Sequence, residues 1–243
     1  MVRPVSSITV GARTRVVSLV PSLTETLISW GVVPVACTRF CEQPSIRHVG
    51  GTKDPDIAAI VALEPDLVLM DREENRREDA EALEIAGITV LSTHVTSVLD
   101  VGPMTSVVRA ALGMAPVASS IPTDSVAPWI SAFVPIWRRP WMTCSAATYG
   151  SSLLESIGVL NVFADSATAY PTIVLDEVAA RRPRVVLLPS EPYPFALRHV
   201  AEIEAALPHS LVRLIDGQDL FWWGTRTASA RDRLAQSLAG LMP

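Results

Sequence analysis

Apolar positions along the chain change their period in blocks. Runs with helical spacing, each ended by Gly or Pro, lead into short unbroken apolar runs of the kind a buried strand presents. The block from Ile57 to Asp79, IAAIVALEPDLVLMDREENRRED, shows the unit: an amphipathic helix, a stop at Pro65, a buried strand, then charged residues opening another helix. It recurs at Leu175 to Glu191, LDEVAARRPRVVLLPSE. Placing Pro65 on Pro183, an offset of 118, matches Ile57 with Leu175, Leu67-Val68-Leu69 with Val185-Val186-Leu187, and Glu73 with Glu191. A second match sets TLISWGVVPVA (Thr26 to Ala36) on LLESIGVLNVF (Leu153 to Phe163), with Gly31 on Gly158 at an offset of 127, so the halves differ by nine residues of loop. Such a repeat predicts two similar lobes, and a cleft between lobes is a preferred place for a ligand.

The elements follow in order. Arg15 to Val20 reads as a strand, and Ser22 with Glu25 as a capping box for a helix through Leu23, Leu27 and Trp30 to Gly31, which makes Glu25 a cap rather than a catalytic acid. Val32 to Ala36 is a strand, and the long segment to Pro55 is a loop of functional length. Asp54 caps a helix that Pro55 begins and Glu64-Pro65 ends; Leu67 to Met70 is the next strand. Asp71 with Glu74 caps a helix through Ala86, stopped by Gly87 before a strand at Ile88 to Leu91. Met104 to Leu112 has helical character, but Pro116, Pro122 and Pro128 interrupt the path to Phe133, so a broken linker is expected. The second half begins with strands at Val134 to Trp137 and Met142 to Cys144 and a helix from Ser151 to Ile157. It continues with a strand at Val185 to Leu188, a helix from Pro194 to Leu207, a strand at Val212 to Ile215, and a closing helix from Thr227 to Leu241. Strands alternating with helices predict an α/β fold with parallel sheets. The expected division is an amino-terminal lobe at 1–102, a linker at 103–132 and a carboxy-terminal lobe at 133–243.

With 243 residues, 49% hydrophobic and 19% charged, and a net charge of −5, the chain is an ordinary globular one and a poor match for nucleic acid. No run reaches the roughly 18 to 20 apolar residues that a membrane-spanning helix needs. The opening MVRPVSSITVGARTRVV, with Arg3, Arg13 and Arg15, lacks the apolar core of a leader, from which a cytoplasmic location is expected. Cys37, Cys41 and Cys144 show no disulfide framework. Cys37 and Cys41 with His48 lack the fourth ligand of a structural zinc site, and Cys37 reads as core; Cys41 sits in the long loop beside Arg39, a cation able to lower its pKa. His94, His48 and His199 read as solvent-facing. There is no glycine-rich phosphate loop, and Gly50-Gly51-Thr52-Lys53 lacks the spacing of one. Glu73 and Glu191 invite a paired-carboxylate reading, though duplication alone accounts for their equivalence.

Four segments in order, VVSLVPSLTETLISWG, VGGTKDPDIAAIVALEPDLVLMDREENRRED, FVPIWRRPWM and NVFADSATAYPTIVLDEVAARRPRVVLLPSEPYPF, together resemble the helical-backbone metal-receptor superfamily, the class III periplasmic-type substrate-binding proteins, on the side of the cobalamin-binding branch. The resemblance implies two Rossmann-like lobes joined by an α-helix, a cleft for a flat metal chelate such as a corrinoid, tetrapyrrole or siderophore, and no catalysis. It needs no cofactor. It also implies an ABC permease that docks on one surface carboxylate per lobe. Asp176 stands at the second of those positions and Ala58 at the first, so the chain departs from the pattern there. The alternatives are an intracellular carrier of the chelate and an enzyme acting on it in the same cleft.

In a parallel sheet the ligand side is the carboxyl edge of the strands. The loops leaving that edge carry Arg39, Phe40, Cys41, Arg72 and Glu73 in the first half and Trp141, Tyr170, Glu191, Tyr193, Trp222, Trp223 and Arg226 in the second. These are the candidate ligand-binding residues: aromatic faces to stack on a planar chelate, with Arg and Glu for its polar substituents. The competing reading has Trp137, Trp141 and Trp222 simply filling the core.

Overall fold

The structure is a computed structural model and describes residues 14–117 and 126–241. Arg3, Arg13 and Pro122 lie outside the described residues. The chain divides into two compact units: an amino-terminal one that runs to His94 and resumes at Val101, and a carboxy-terminal one that takes Val95–Asp100 and the second half of the chain.

The amino-terminal unit runs β1 (Val16–Ser18), α1 (Pro21–Ser29), β2 (Ala36–Cys37), α2 (Ile57–Val61), β3 (Leu67–Asp71), α3 (Arg77–Ile85) and β4 (Val90–Thr93). Its four strands are all parallel, in the order β2-β1-β3-β4. β1 and β3 are buried along their whole length, as parallel strands covered on both faces must be. Val17, Val68 and Met70 from the sheet meet Ile60 and Leu83 from the helices in one core.

All three expected helix caps differ from the sequence reading, each for a local reason. Pro21, which has no N–H to satisfy, opens α1 with Val20 as its cap residue, so Ser22 already lies inside the first turn and no capping box forms. Asp56, not Asp54, caps α2 by accepting from the Ala59 N–H at 2.9 Å; Asp54 is held by Arg39. Asp71 ends β3 instead of capping α3, and α3 starts only at Arg77 without a side-chain cap. Gly31 does stop α1 as expected, with a φ of +76° that only glycine adopts without cost.

The linking helix α4 (Val98–Ala111) starts earlier than the pattern suggested and carries Pro103 inside it. A proline usually marks a helix boundary, and the helical pattern at Met104 to Leu112 begins just after this one. Asp100 secures its start by accepting from the N–H groups of Thr96 and Ser97, at 3.1 and 2.9 Å. Pro116 and Pro128 both lie beyond its end.

The carboxy-terminal unit comprises β5 (Ile130–Phe133), β6 (Pro135–Trp137), β7 (Trp141–Thr143), α5 (Tyr149–Glu155), β8 (Val159–Asn161), β9 (Thr172–Ile173) and α6 (Leu175–Arg181). It continues through β10 (Val185–Pro189), α7 (Leu197–Ala206), β11 (Leu211–Ile215), α8 (Gly217–Phe221) and α9 (Thr227–Leu238) to a final 3-10 turn. Its parallel sheet has the order β11-β10-β5-β8, so first, second, third and fourth strands take the same places as in the amino-terminal unit. The register repeats as well: Val17 pairs with Val68 in one sheet, and Phe133 with Val186 in the other. β3 and β10 begin and end at the offset of 118 read from the sequence.

One addition distinguishes this unit. The segments read as its opening strands, Val134 to Trp137 and Met142 to Cys144, form an antiparallel β6-β7-β9 sheet, while the first parallel strand is β5, just before them. Pro135 divides the apolar run from Ile130 to Trp137, and the Thr143 hydroxyl closes the bend by donating to the Val134 carbonyl at 2.7 Å.

Candidate functional site

Each unit presents its own carboxyl edge, and the two edges differ in chemistry. In the carboxy-terminal unit the β6-β7 hairpin and the segment after β10 gather aromatic rings. Tyr193 lies edge-on to Trp137 at 5.5 Å and against Phe195 at 4.7 Å, while Trp141 stacks parallel to Phe195 at 6.0 Å. His199 packs against both Tyr193 and Phe195. Phe195 is buried, Trp141 and Tyr193 are half-buried, and Trp137 is 44% exposed, so the cluster is anchored in the core and open at one end. Arg138 lies over the Trp141 ring at 5.9 Å and is fixed by Glu202 at 2.6 Å. Burial lowers the pKa of His199, and its Nδ1 accepts from the Ala196 N–H at 3.0 Å, so a neutral ring lies under the aromatics.

Glu191 and Arg226 lie beside a second group. The Trp222 indole N–H donates to Glu191 Oε2 at 2.9 Å and the Gln218 amide reaches Oε1 at 3.4 Å. Gly217 permits this approach, since a Cβ there would stand 2.3 Å from the Glu191 nitrogen. Arg226 covers the Trp222 ring at 5.1 Å and pairs with buried Asp219, which Arg233 also holds. Trp222 and Trp223 are buried, at 8% and 5% exposed, and offer no open faces; Trp222 braces Glu191 and Arg226. Tyr170, 40% exposed, lies in the turn before β9.

The amino-terminal edge is polar and tied down. Arg39 makes a two-pronged pair with Asp54 at 3.1 and 3.2 Å and lies over the half-exposed Phe40 ring at 4.7 Å. Gly51 leaves room for that pair, because a Cβ would fall 2.3 Å from Asp54 Oδ1. Arg72 is exposed. Glu73 stands 3.8 Å from His94 Nδ1, and its carbonyl accepts from Lys53 at 2.9 Å. Asn75 joins three segments: its amide donates to the carbonyls of Leu19 and Thr52, and its oxygen accepts from the Asp71 N–H. Asp71 accepts from the Thr93 hydroxyl at 2.6 Å; burial nevertheless raises its pKa, outweighing these hydrogen bonds.

Cys41 is buried, and its pKa falls to about 6 through hydrogen bonds from Cys37 first and then Thr24 and Thr38; Arg39, the cause expected from sequence, is engaged with Asp54 instead. His48 is exposed, with Nε2 3.2 Å from the Gln43 carbonyl, and His199 is buried, against the expectation that it faces solvent. Among the described residues no group of three His, Cys, Asp or Glu side chains is placed to hold a metal ion. A shallow groove of about 410 Å³ in the carboxy-terminal unit is lined by Ser131, Leu160, Asn161, Asp165 and Arg181, none of them a candidate residue.

Of this cluster, Trp141 and Tyr193 were among the candidate residues read from the sequence, whereas Trp137, named there only with Trp141 and Trp222 under the core-filling alternative, and Phe195 and Arg138 were not. The signal was present in WRRPW and PYPF, where aromatics are separated by prolines and cations.

No protein-family model matches the chain. Curated relatives include the vitamin B12-binding protein of Salmonella paratyphi A, 24% identical over 196 residues and 73% of each chain. That of Pectobacterium carotovorum is 23% identical over 198 residues, 73% of this chain and 72% of its own. Among solved structures, the periplasmic vitamin B12 binding protein BtuF of Vibrio cholerae aligns with a TM-score of 0.74 at 19% identity, covering 93% of this chain and 96% of its own. A periplasmic heme binding protein from Pseudomonas aeruginosa gives 0.78 at 17% identity over 95% and 94%. The fold is that of these solved periplasmic vitamin B12- and heme-binding proteins, and the curated relatives named here are vitamin B12-binding proteins. The cytoplasmic expectation finds no support among them.

Proposed function

We propose that this protein is the substrate-binding component of an ABC-type importer, and that it takes a flat metal chelate, a corrinoid by preference, on the carboxyl-edge loops. The observation that carries the reading is the aromatic cluster of Trp137, Tyr193, Phe195 and Trp141 at one sheet edge, open at Trp137 and backed by Arg138. A delocalised ring system with amide or carboxylate arms is complementary to such a surface: the aromatic faces take the ring, and the nearby cations take the arms. Glu191, held in place by Trp222, supplies fixed acceptors for amide N–H groups. Arg39 over Phe40 offers a similar pairing of cation and ring on the other unit.

The relatives' names favour a corrinoid, and the heme-binding neighbours make a tetrapyrrole the nearest competitor. An enzyme acting on the chelate has less to support it. Glu191 is committed to Trp222 and Gln218, and Glu73 stands beside His94, so neither carboxylate is arranged as half of an acid-base pair. On this reading the protein works outside the cytoplasmic membrane beside its periplasmic relatives and meets a permease through exposed Asp176, in the first turn of α6. Exposed Ala58 at the matching place on α2 leaves one contact without a charge, and charge pairs of this kind steer encounter and fix register.

Gel filtration of the protein after incubation with hydroxocobalamin, cobinamide, hemin and a ferric siderophore tests the reading. A corrinoid absorbance band that co-elutes with the protein is expected. Elution free of every chromophore would remove it.

A further inference from the structure

Cys37 and Cys41 form a pair of buried thiols at the end of β2 and in the turn that follows it. Cys37 ends β2, pinned on both sides: its N–H donates to the Arg47 carbonyl and its carbonyl accepts from Val49, each at 2.9 Å. The chain then turns back, with the Cys41 N–H donating to the Thr38 carbonyl at 3.1 Å, and this places the Cys41 sulfur against α1. There the Thr24 and Thr38 hydroxyls each lie 3.2 Å from the sulfur, and the Cys37 thiol hydrogen-bonds to it as well. The Thr24 hydroxyl also reaches the Val20 carbonyl at 3.1 Å, so its single proton turns to Cys41 when that sulfur is the stronger acceptor. A thiolate is that acceptor. Three donors around one sulfur therefore favour ionisation at Cys41, while Cys37, the donor of the pair, is pushed up. Cys144 is the internal contrast: buried likewise, its thiol rises to about 11 because burial dominates.

We propose that Cys37 and Cys41 are a peroxide-oxidisable dithiol that closes to an intramolecular disulfide. The Cys41 thiolate attacks one oxygen of a hydroperoxide, the O–O bond breaks, and the released alkoxide or hydroxide takes a proton from solvent, leaving a sulfenic acid on Cys41. Cys37 loses its proton to solvent and attacks the Cys41 sulfur; the S–O bond breaks and hydroxide leaves as water with a proton. Two thiols give up two electrons, and the peroxide is reduced to an alcohol, or to water for hydrogen peroxide, with a second water released from the sulfenic acid. Cys41 is 3% exposed, which suits a small neutral oxidant better than a bulky disulfide. The turn that the new bond tightens carries Arg39 and Phe40, so under the chelate-binding reading oxidation alters one ligand loop; the thiol chemistry itself does not depend on that reading.

The test treats the reduced full-length chain with hydrogen peroxide, alkylates remaining thiols after unfolding, and maps the peptides by mass spectrometry. Expected are a peptide linked through Cys37 and Cys41, Cys144 still alkylated, and a Cys41 oxidation rate at least about 10-fold above that of Cys144 at neutral pH. The rate should climb through pH 6, and Thr24→Val with Thr38→Val should move that midpoint upward. Cys37→Ser should stop at a sulfenic acid on Cys41 that dimedone traps. Three thiols left free, oxidation shared equally with Cys144, or a rate that rises only above pH 8 would each overturn the proposal.

Discussion

The two units are built on one plan and finish it differently. Strand order, pairing register and the bounds of the central strand coincide. At the carboxyl end of that strand the offset of 118 sets Asp71 opposite Pro189 and Asn75 opposite Tyr193. In the amino-terminal unit these positions are a buried carboxyl and an amide strut that tie three segments together. In the carboxy-terminal unit they are a proline and a half-buried ring in an aromatic cluster, supported by a hairpin with no counterpart among the described residues of the other half. Buried strands tolerate little change, because each lost methylene leaves a cavity in a close-packed interior. Edge loops carry no such penalty, so one edge is polar and tied by hydrogen bonds and the other is aromatic.

The largest expected effect tests the scaffold half of that contrast. Phe133 takes the place of Val17 in the pairing scheme and packs on Phe163 with centroids 5.9 Å apart. Phe133→Ala should cost about 3 to 5 kcal/mol in urea denaturation. A loss below 1 kcal/mol would mean that the shared frame is less tightly packed than its burial indicates. Next comes the strut. Asn75→Leu strands the Leu19 and Thr52 carbonyls and the Asp71 N–H, and a loss of roughly 2 to 3 kcal/mol is expected. Tyr193→Leu, at the matching place, should lose less stability and more chelate affinity; the reverse ranking would break the comparison.

How much of this was legible depended on where the information is local. The repeat, the parallel sheets and the glycine stop at Gly31 are written in periodicity and single residues, and they could be read directly. The caps were not, because Pro21, Asp56 and Arg77 compete with equally plausible neighbours and only tertiary pairing, such as Arg39 with Asp54, decides between them. The strands of the hairpin were read but not their sheet, and β5 was missed, because in the run Ile130 to Trp137 a single proline separates two sheets. Trp222, a candidate, and Trp137, not one, were hard to tell apart for a similar reason: sequence places both near strand ends, but only packing shows that the first is buried beneath Glu191 and the second open.

Smaller effects sharpen the picture. Trp137→Ala removes the exposed ring and should weaken chelate binding by about 0.5 to 1.5 kcal/mol, roughly 2- to 10-fold, without moving the melting temperature. A shifted melting temperature at unchanged affinity would make Trp137 structural. Asp71→Asn probes the polar edge through pH. Burial raises the Asp71 pKa, so the folded state holds this proton more tightly than the unfolded chain does. The resulting stabilisation is complete below the ordinary carboxylate value of about 4 and is lost as pH rises through the raised one. The variant should therefore gain on the wild type between pH 4 and pH 7 in thermal unfolding. A constant difference across that range would show that the carboxyl does not titrate as described.

The most direct measurement is a calorimetric titration of hydroxocobalamin, with hemin in parallel, into the wild type and into the Trp137→Ala/Tyr193→Ala double variant. Saturable binding of the corrinoid by the wild type is expected, weakened at least about 10-fold in the double variant while its melting temperature stays within a few degrees. No binding of either chelate by the wild type, or equal affinity in both proteins, would contradict the account.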